Sequence, residues 1–202
     1  MIFVARRRRL LILMVCILAG PVVATTVALA AGSIDAASHR SRLTISEEPK
    51  DAQQVLFVQK TMAAARTKAN PAETRVVTVV GQIGGMPNVW PDLHPNFPWY
   101  QGQASFFLVD KKIAAMFTEH AKQHGGSTAN CSFCQSLAAK NANAIAVVNL
   151  VDEQGEILRM DTRELLGLKE NQTVVIHGKA RLLGGSMLVI DADGVFPTPQ
   201  KK

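Results

Sequence analysis

Residues 173–196 read Thr-Val-Val-Ile-His-Gly-Lys-Ala-Arg-Leu-Leu-Gly-Gly-Ser-Met-Leu-Val-Ile-Asp-Ala-Asp-Gly-Val-Phe. Two runs rich in β-branched residues flank a Gly-Gly pair. The pattern predicts a hairpin, with strands over Thr173–Arg181 and Ser186–Asp191 and a turn through Leu182–Gly185. Working backward, Arg75–Ile83 alternates and stops at Gly84-Gly85, and Ala104–Asp110 is a second strand. Ala144–Val151 is a third, and the turn Asp152–Gly155 folds it back onto Glu156–Met160. Asp161 stands where an N-cap belongs, before a short helix Thr162–Leu166 that Gly167 ends. A further helix is expected between Pro49 and Lys68, around Val55, Leu56, Phe57 and Met62. Strands, a short helix, then a closing hairpin predict a mainly β chain: a Greek-key barrel of five to six strands whose closure removes exposed edges.

The stretches Val76–Gly85 (VVTVVGQIGG), Phe106–Asp110 (FFLVD) and Leu166–Phe196 (LGLKENQTVVIHGKARLLGGSMLVIDADGVF) resemble the OB-fold of the anticodon-binding and helicase-associated type. The resemblance spans most of residues 75–196 and rests on Gly, Val and turn positions. The chain is also similar to small exported bacterial OB-like proteins that carry a Cys-x-Phe-Cys insert. That resemblance implies an OB-like barrel and no particular activity. Two departures stand out: a long first loop, residues 84–103, and an insertion, residues 111–143. Long insertions in compact domains carry function more often than not, so the chemistry is expected there.

The N-terminus carries an address. Arg6–Arg9 precede an apolar run from Leu10 to Ala31 with no charge before Asp35, and Ala28-Leu29-Ala30 fits a cleavage pattern. Residues 1–30 therefore read as a signal peptide cleaved after Ala30 or as an uncleaved membrane anchor, since residues 10–31 are long enough to span a bilayer. Either way the chain is expected outside the cytoplasm, periplasmic or at the cell surface, touching membrane only through that segment. Cys16 is an interior residue of the apolar run, and the paired arginines bear only a weak likeness to a twin-arginine signal. Residues 31–54 have the composition of a linker, and 55–202 are assigned to the OB-like domain. The formal charge of +6 is mostly address: without residues 1–30, 18 basic against 16 acidic residues leave +2. Bulk charge thus gives no reason to expect a phosphate-backbone binder.

Within the insertion, His120 and His124 lie four apart on a segment of helical composition, so their rings share a face. Gly125-Gly126 end that helix; Cys131 follows six residues after Gly125 and Cys134 three further on, spaced so that two thiolates can reach one tetrahedral centre. Two imidazoles and two thiolates make a closed Zn site, which would staple an insertion expected to have little core of its own. Met116, one turn before His120, adds a soft donor suited to Cu(I), although Met116 and Phe117 also fit as core residues. The His-first order departs from the usual Cys-first finger. Two other readings of the residues stay open: a reducible Cys131–Cys134 disulfide of a thiol oxidoreductase, and a plain buried Cys pair beside solvated His.

The loop Met86–Tyr100 holds both Trp, the single Tyr and four Pro. On an OB barrel that loop borders the ligand face, so Trp90, Trp99 and Tyr100 are candidates to stack on the bases of a nucleic acid or the sugars of an oligosaccharide. The opposing expectation is a Pro-stiffened loop that buries its rings, since no Lys or Arg lies within it. His94 is a possible extra donor and His177 a strand residue. Asp152, Glu153, Asp161, Glu164, Asp191 and Asp193 are expected at turns and caps. No nucleophile elbow, phosphate-cradling loop or His-Glu-x-x-His is present, so no catalytic set emerges. The expected protein is a non-enzymatic binding module for a metal ion, with a protein or polymeric ligand at the barrel face as a further partner.

Overall fold

The structure, a computed structural model, describes residues 31–66, 73–123 and 131–199. The expected signal or anchor lies outside them. Among the described residues six strands form one sheet: β1 Gln53–Gln54, β2 Arg75–Ile83, β3 Ser105–Asp110, β4 Ile145–Leu150, β5 Thr173–Leu183 and β6 Met187–Pro197. β2 pairs antiparallel with β3 and, along Arg75–Gln82, with β5; β3 pairs antiparallel with β4, and β5 with β6. β4 and β6 are parallel. The circuit β2-β3-β4-β6-β5-β2 therefore closes into a mixed five-stranded barrel. β1 is an added strand lying parallel to β2 at Val79 and Val80. The architecture is the expected OB-like, mainly β barrel with short helices: α1 Ala31–Leu43, α2 Val55–Ala65, α3 Lys111–Gln123, α4 Ser132–Lys140 and α5 Thr162–Leu166.

Both hairpin strands run longer than their alternation suggests, through Leu183 and on to Pro197. The register slips at His177/Gly178, where the strands come unusually close. A Cβ on Gly178 would lie 2.4 Å from the Asp191 carbonyl oxygen, so only glycine fits this bulge.

Strand side chains alternate between two faces. Val79, Ile83, Phe106, Leu108, Val148, Ile176 and Ile190 fill the barrel. On β3 and β4 the outward positions are also apolar: Phe107, Val109, Ile145 and Val147 form a second cluster with Ala114 and Phe117 of α3, Cys134 and Ala138 of α4, and rings of the loop 86–100. Consequently all six residues of β3 are buried.

Residues 31–54, expected as a linker, fold onto the barrel. Leu43 at the end of α1 is fully buried, and Thr44 bridges Val195. Arg40 donates from Nε to the Leu165 carbonyl at 2.6 Å and from Nη2 to that of Glu164 at 3.1 Å, satisfying carbonyls at the end of α5. Arg42 donates to the Val151 carbonyl. Described residues N-terminal of 55 thus also pack on the barrel. A composition-based reading misses this because α1 docks through arginines and one leucine instead of an apolar stripe. The expected return strand Glu156–Met160 reduces to the single bridge Val151–Ile157.

Candidate functional site

Asp110, the last residue of β3, fixes the start of the insertion. Its buried carboxylate accepts the Lys112 N–H at 3.0 Å and, across the fold, the Leu56 N–H at 3.0 Å. The chain thereby passes from strand directly into α3, which lays Ala114 and Phe117 on the outer face of β3 and carries His120 on its next turn. At α4, Cys131 is the N-cap: its sulfur accepts the Cys134 N–H at 3.2 Å. Cys134 and Ala138, one turn apart, bury against Phe117 and Ile145.

These two helices bring His120, Cys131 and Cys134 together. Cys134 Sγ lies 3.4 Å from His120 Nδ1, and the His120 ring stacks on Phe133 at 5.5 Å with planes 24° apart. Both cysteines are free thiols; Cys134 is 1% exposed and Cys131 is half-buried. The hydrogen bond between the thiols, helped by the Cys134 amide, holds the Cys131 thiol below its ordinary range; the same bond and burial push Cys134 above it. Such a cluster offers a soft sulfur at Cys131 that gives up its proton more readily than an ordinary thiol, a buried second sulfur and an imidazole nitrogen. It suits chemistry with a thiophilic ion or with disulfides.

His124 lies outside the described residues. Among the described residues, no group of three or more His, Cys, Asp or Glu side chains is arranged to hold a metal ion. The insertion, expected to have little core of its own, has an apolar seam: Phe117, Cys134, Ala138 and Ile145 pack it on the barrel. Phe117 is buried there, whereas Met116 is 37% exposed.

The aromatic loop turns inward. Around Phe107 stand Trp90, His94, Phe97 and Tyr100, with ring centroids 5.0 to 5.8 Å away. Trp99 packs against Phe106 of the barrel interior, and Arg163 covers its ring at 5.6 Å. Burial raises the Tyr100 hydroxyl above its usual range. Trp90, Trp99 and Tyr100 are thus half-buried packing residues, and His94 belongs to the same ring cluster. OB folds bind polymers on this strand face, and here the loop and the α3–α4 insertion cover it.

The remaining candidates are structural. Asp161 caps α5 and Asp152 organises its turn. Asp191 and Asp193, expected at turns, lie within β6: Asp193 meets His177 Nδ1 at 2.6 Å, and Asp191 accepts from Asn149 at 2.9 Å. Sequence reasoning missed Asp110 and Phe133. The strand-helix junction at 110–111 was a usable signal for the first; the stacking partner of His120 carried none.

Comparison with known protein families, characterised proteins and solved structures gives no match to this chain.

Proposed function

We propose that the chain is an exported, non-enzymatic OB-like binding module that handles a thiophilic metal ion through His120, Cys131 and Cys134, with His124 as fourth donor. One observation carries the reading: the 3.4 Å between Cys134 Sγ and His120 Nδ1. Two donors on one tetrahedral zinc, at about 2.3 Å for sulfur and 2.0–2.1 Å for nitrogen, stand roughly 3.5 Å apart, so this pair is already spaced to share an ion. Zn is the first choice because two sulfurs and two nitrogens complete its tetrahedron. Exposed Met116 on the same helix keeps Cu(I) as the next. Kinship with anticodon-binding OB-folds and with exported Cys-x-Phe-Cys proteins belongs to the same proposal, resting on the residues quoted above. So does delivery across a membrane by residues 1–30, with Zn met in the periplasm or at the cell surface.

A specific observation favours a second reading. Cys131 is a low-range thiol at a helix N-cap with a buried high-range partner three residues on, the asymmetry that thiol–disulfide exchange uses. Binding of nucleic acid or oligosaccharide through Trp90, Trp99 and Tyr100 has less support, since those rings are engaged in packing.

Elemental analysis of the purified, untagged chain separates the readings. The metal reading expects about one Zn per chain, lost on mild acidification and in Cys131→Ser or Cys134→Ser, and weakened in His120→Ala. Full retention of metal in both Cys variants refutes it. A metal-free protein whose two thiols oxidise reversibly to a disulfide establishes the exchange reading instead.

A further inference from the structure

A groove of about 600 Å³ opens between the beginnings of α2 and α3, and none of the His or Cys of the metal reading lines it. Its apolar surface comes from Leu56 and Phe57 on α2 and Ile113 on α3. Phe57 is 56% exposed. Lys60 and Lys112 stand on opposite walls, and both are exposed. The single acid of the lining, Asp110, is buried, and its two oxygens accept the backbone N–H groups of Leu56 and Lys112. That carboxylate therefore ties the two walls together, so the groove is preformed. Facing outward, the site presents hydrocarbon and two ammonium groups, while the Asp110 carboxylate offsets the partial positive charge of the two helix N-termini beneath them.

We propose that this groove binds a free fatty carboxylate, its chain on Leu56, Phe57 and Ile113 and its head between Lys60 and Lys112. Three features select that occupant. The volume is in the range of small-molecule sites, roughly 300–1,000 Å³, which are mostly apolar with a few convergent polar groups. The charge at the rim is of one sign. The exposed apolar surface is one aromatic ring and its neighbours, too little for a stable protein interface.

The experiment is photolabelling of the full chain with a diazirine-bearing fatty acid, with labelled peptides mapped by mass spectrometry. Residues 10–31, themselves apolar, serve as the internal measure of non-specific partitioning. The expected result is label at Leu56, Phe57 and Ile113, at least about tenfold weaker with the matching fatty alcohol and with Lys60→Glu/Lys112→Glu, as expected for loss of two partly exposed ion pairs. Phe57→Asp, at an exposed position that leaves both lysines in place, is expected to abolish groove labelling while labelling of 10–31 persists. Equal labelling by acid and alcohol overturns the proposal. So does groove labelling in Phe57→Asp equal to the parent's, labelling confined to 10–31, or labelling seen only when the chain is bound to anionic vesicles, which marks a bilayer surface as the occupant.

Discussion

Truncating Phe107 tests whether the aromatic loop is a structural cover or a ligand arm. The side chain is 1% exposed, and Trp90, His94, Phe97 and Tyr100 surround it at centroid distances of 5.8, 5.0, 5.1 and 5.0 Å. Phe→Ala in a core costs about 3–5 kcal/mol, set by how far the site collapses around the void. Collapse is poor here, because Pro87, Pro91, Pro95 and Pro98 stiffen the loop on one side and β3 is fixed by its neighbours on the other. The expected loss is therefore about 4–5 kcal/mol. Phe107→Leu keeps most of the apolar volume and loses the ring geometry, so about 1–2 kcal/mol is expected. Denaturant unfolding followed by tryptophan fluorescence measures both. Variants retaining only Trp90, which touches Phe107, or only Trp99, which packs on Phe106, report whether the loop loosens before the barrel. A cost below about 1.5 kcal/mol for Phe107→Ala refutes the cover.

Three further outcomes are expected. Gly178→Ala places a Cβ 2.4 Å from the Asp191 carbonyl and 2.7 Å from the Ala192 Cα, backbone atoms that cannot swing aside, so a loss of about 2–3 kcal/mol is expected in thermal or denaturant unfolding; unchanged stability contradicts the bulge geometry. Asp161→Ala removes the cap of α5, at about 1 kcal/mol near neutral pH. Arg163 holds the Asp161 carboxyl below its usual range, so its contribution is complete above the ordinary carboxylate range and is lost as the pH falls through the lowered value; a stability difference that persists in strong acid rules this out. In the metal-free protein, iodoacetamide is expected to modify half-exposed Cys131 well before Cys134, which is 1% exposed, as mass mapping of partially labelled chains reads directly; the reverse order rejects the arrangement at the α4 N-terminus.

The barrel was legible because its signals are local. Arg75–Ile83 alternates over a whole strand, Gly184-Gly185 marks the hairpin, and Asp161 and Gly167 bracket α5 at the positions capping requires. What escaped depends on contacts between residues far apart in sequence. α1 is anchored by Arg40 on α5, 125 residues away, and nothing in its small polar composition signals that. The second apolar cluster was hidden because Phe106 and Phe107 read as one apolar run, although they point to opposite faces. Of the site, the Cys131–Cys134 spacing and the His120 helix were legible, since both are set within a turn or two of chain. Their meeting at 3.4 Å depends on how α3 and α4 both lie on β3 and β4, which spacing does not contain.

That packing bears on what the barrel can recognise. For a polymer to use the outer face of β3 and β4, it must displace the cover from Phe107, Val109, Ile145 and Val147. Three of these, Phe107, Val109 and Ile145, are fully buried, and re-exposing them costs about 4.5–9 kcal/mol at 1.5–3 kcal/mol each, comparable to the whole free energy of a millimolar to micromolar complex. The surface that OB folds commonly spend on ligands is here committed to holding two helices. Those helices return a different chemistry to solvent. Cys134 is pinned by the same seam, and the turn above it presents Cys131 with His120 alongside. On the proposed function, recognition moves from a broad stacking platform to Cys131, Cys134 and His120, whose soft donors suit an ion or a disulfide better than an extended polymer.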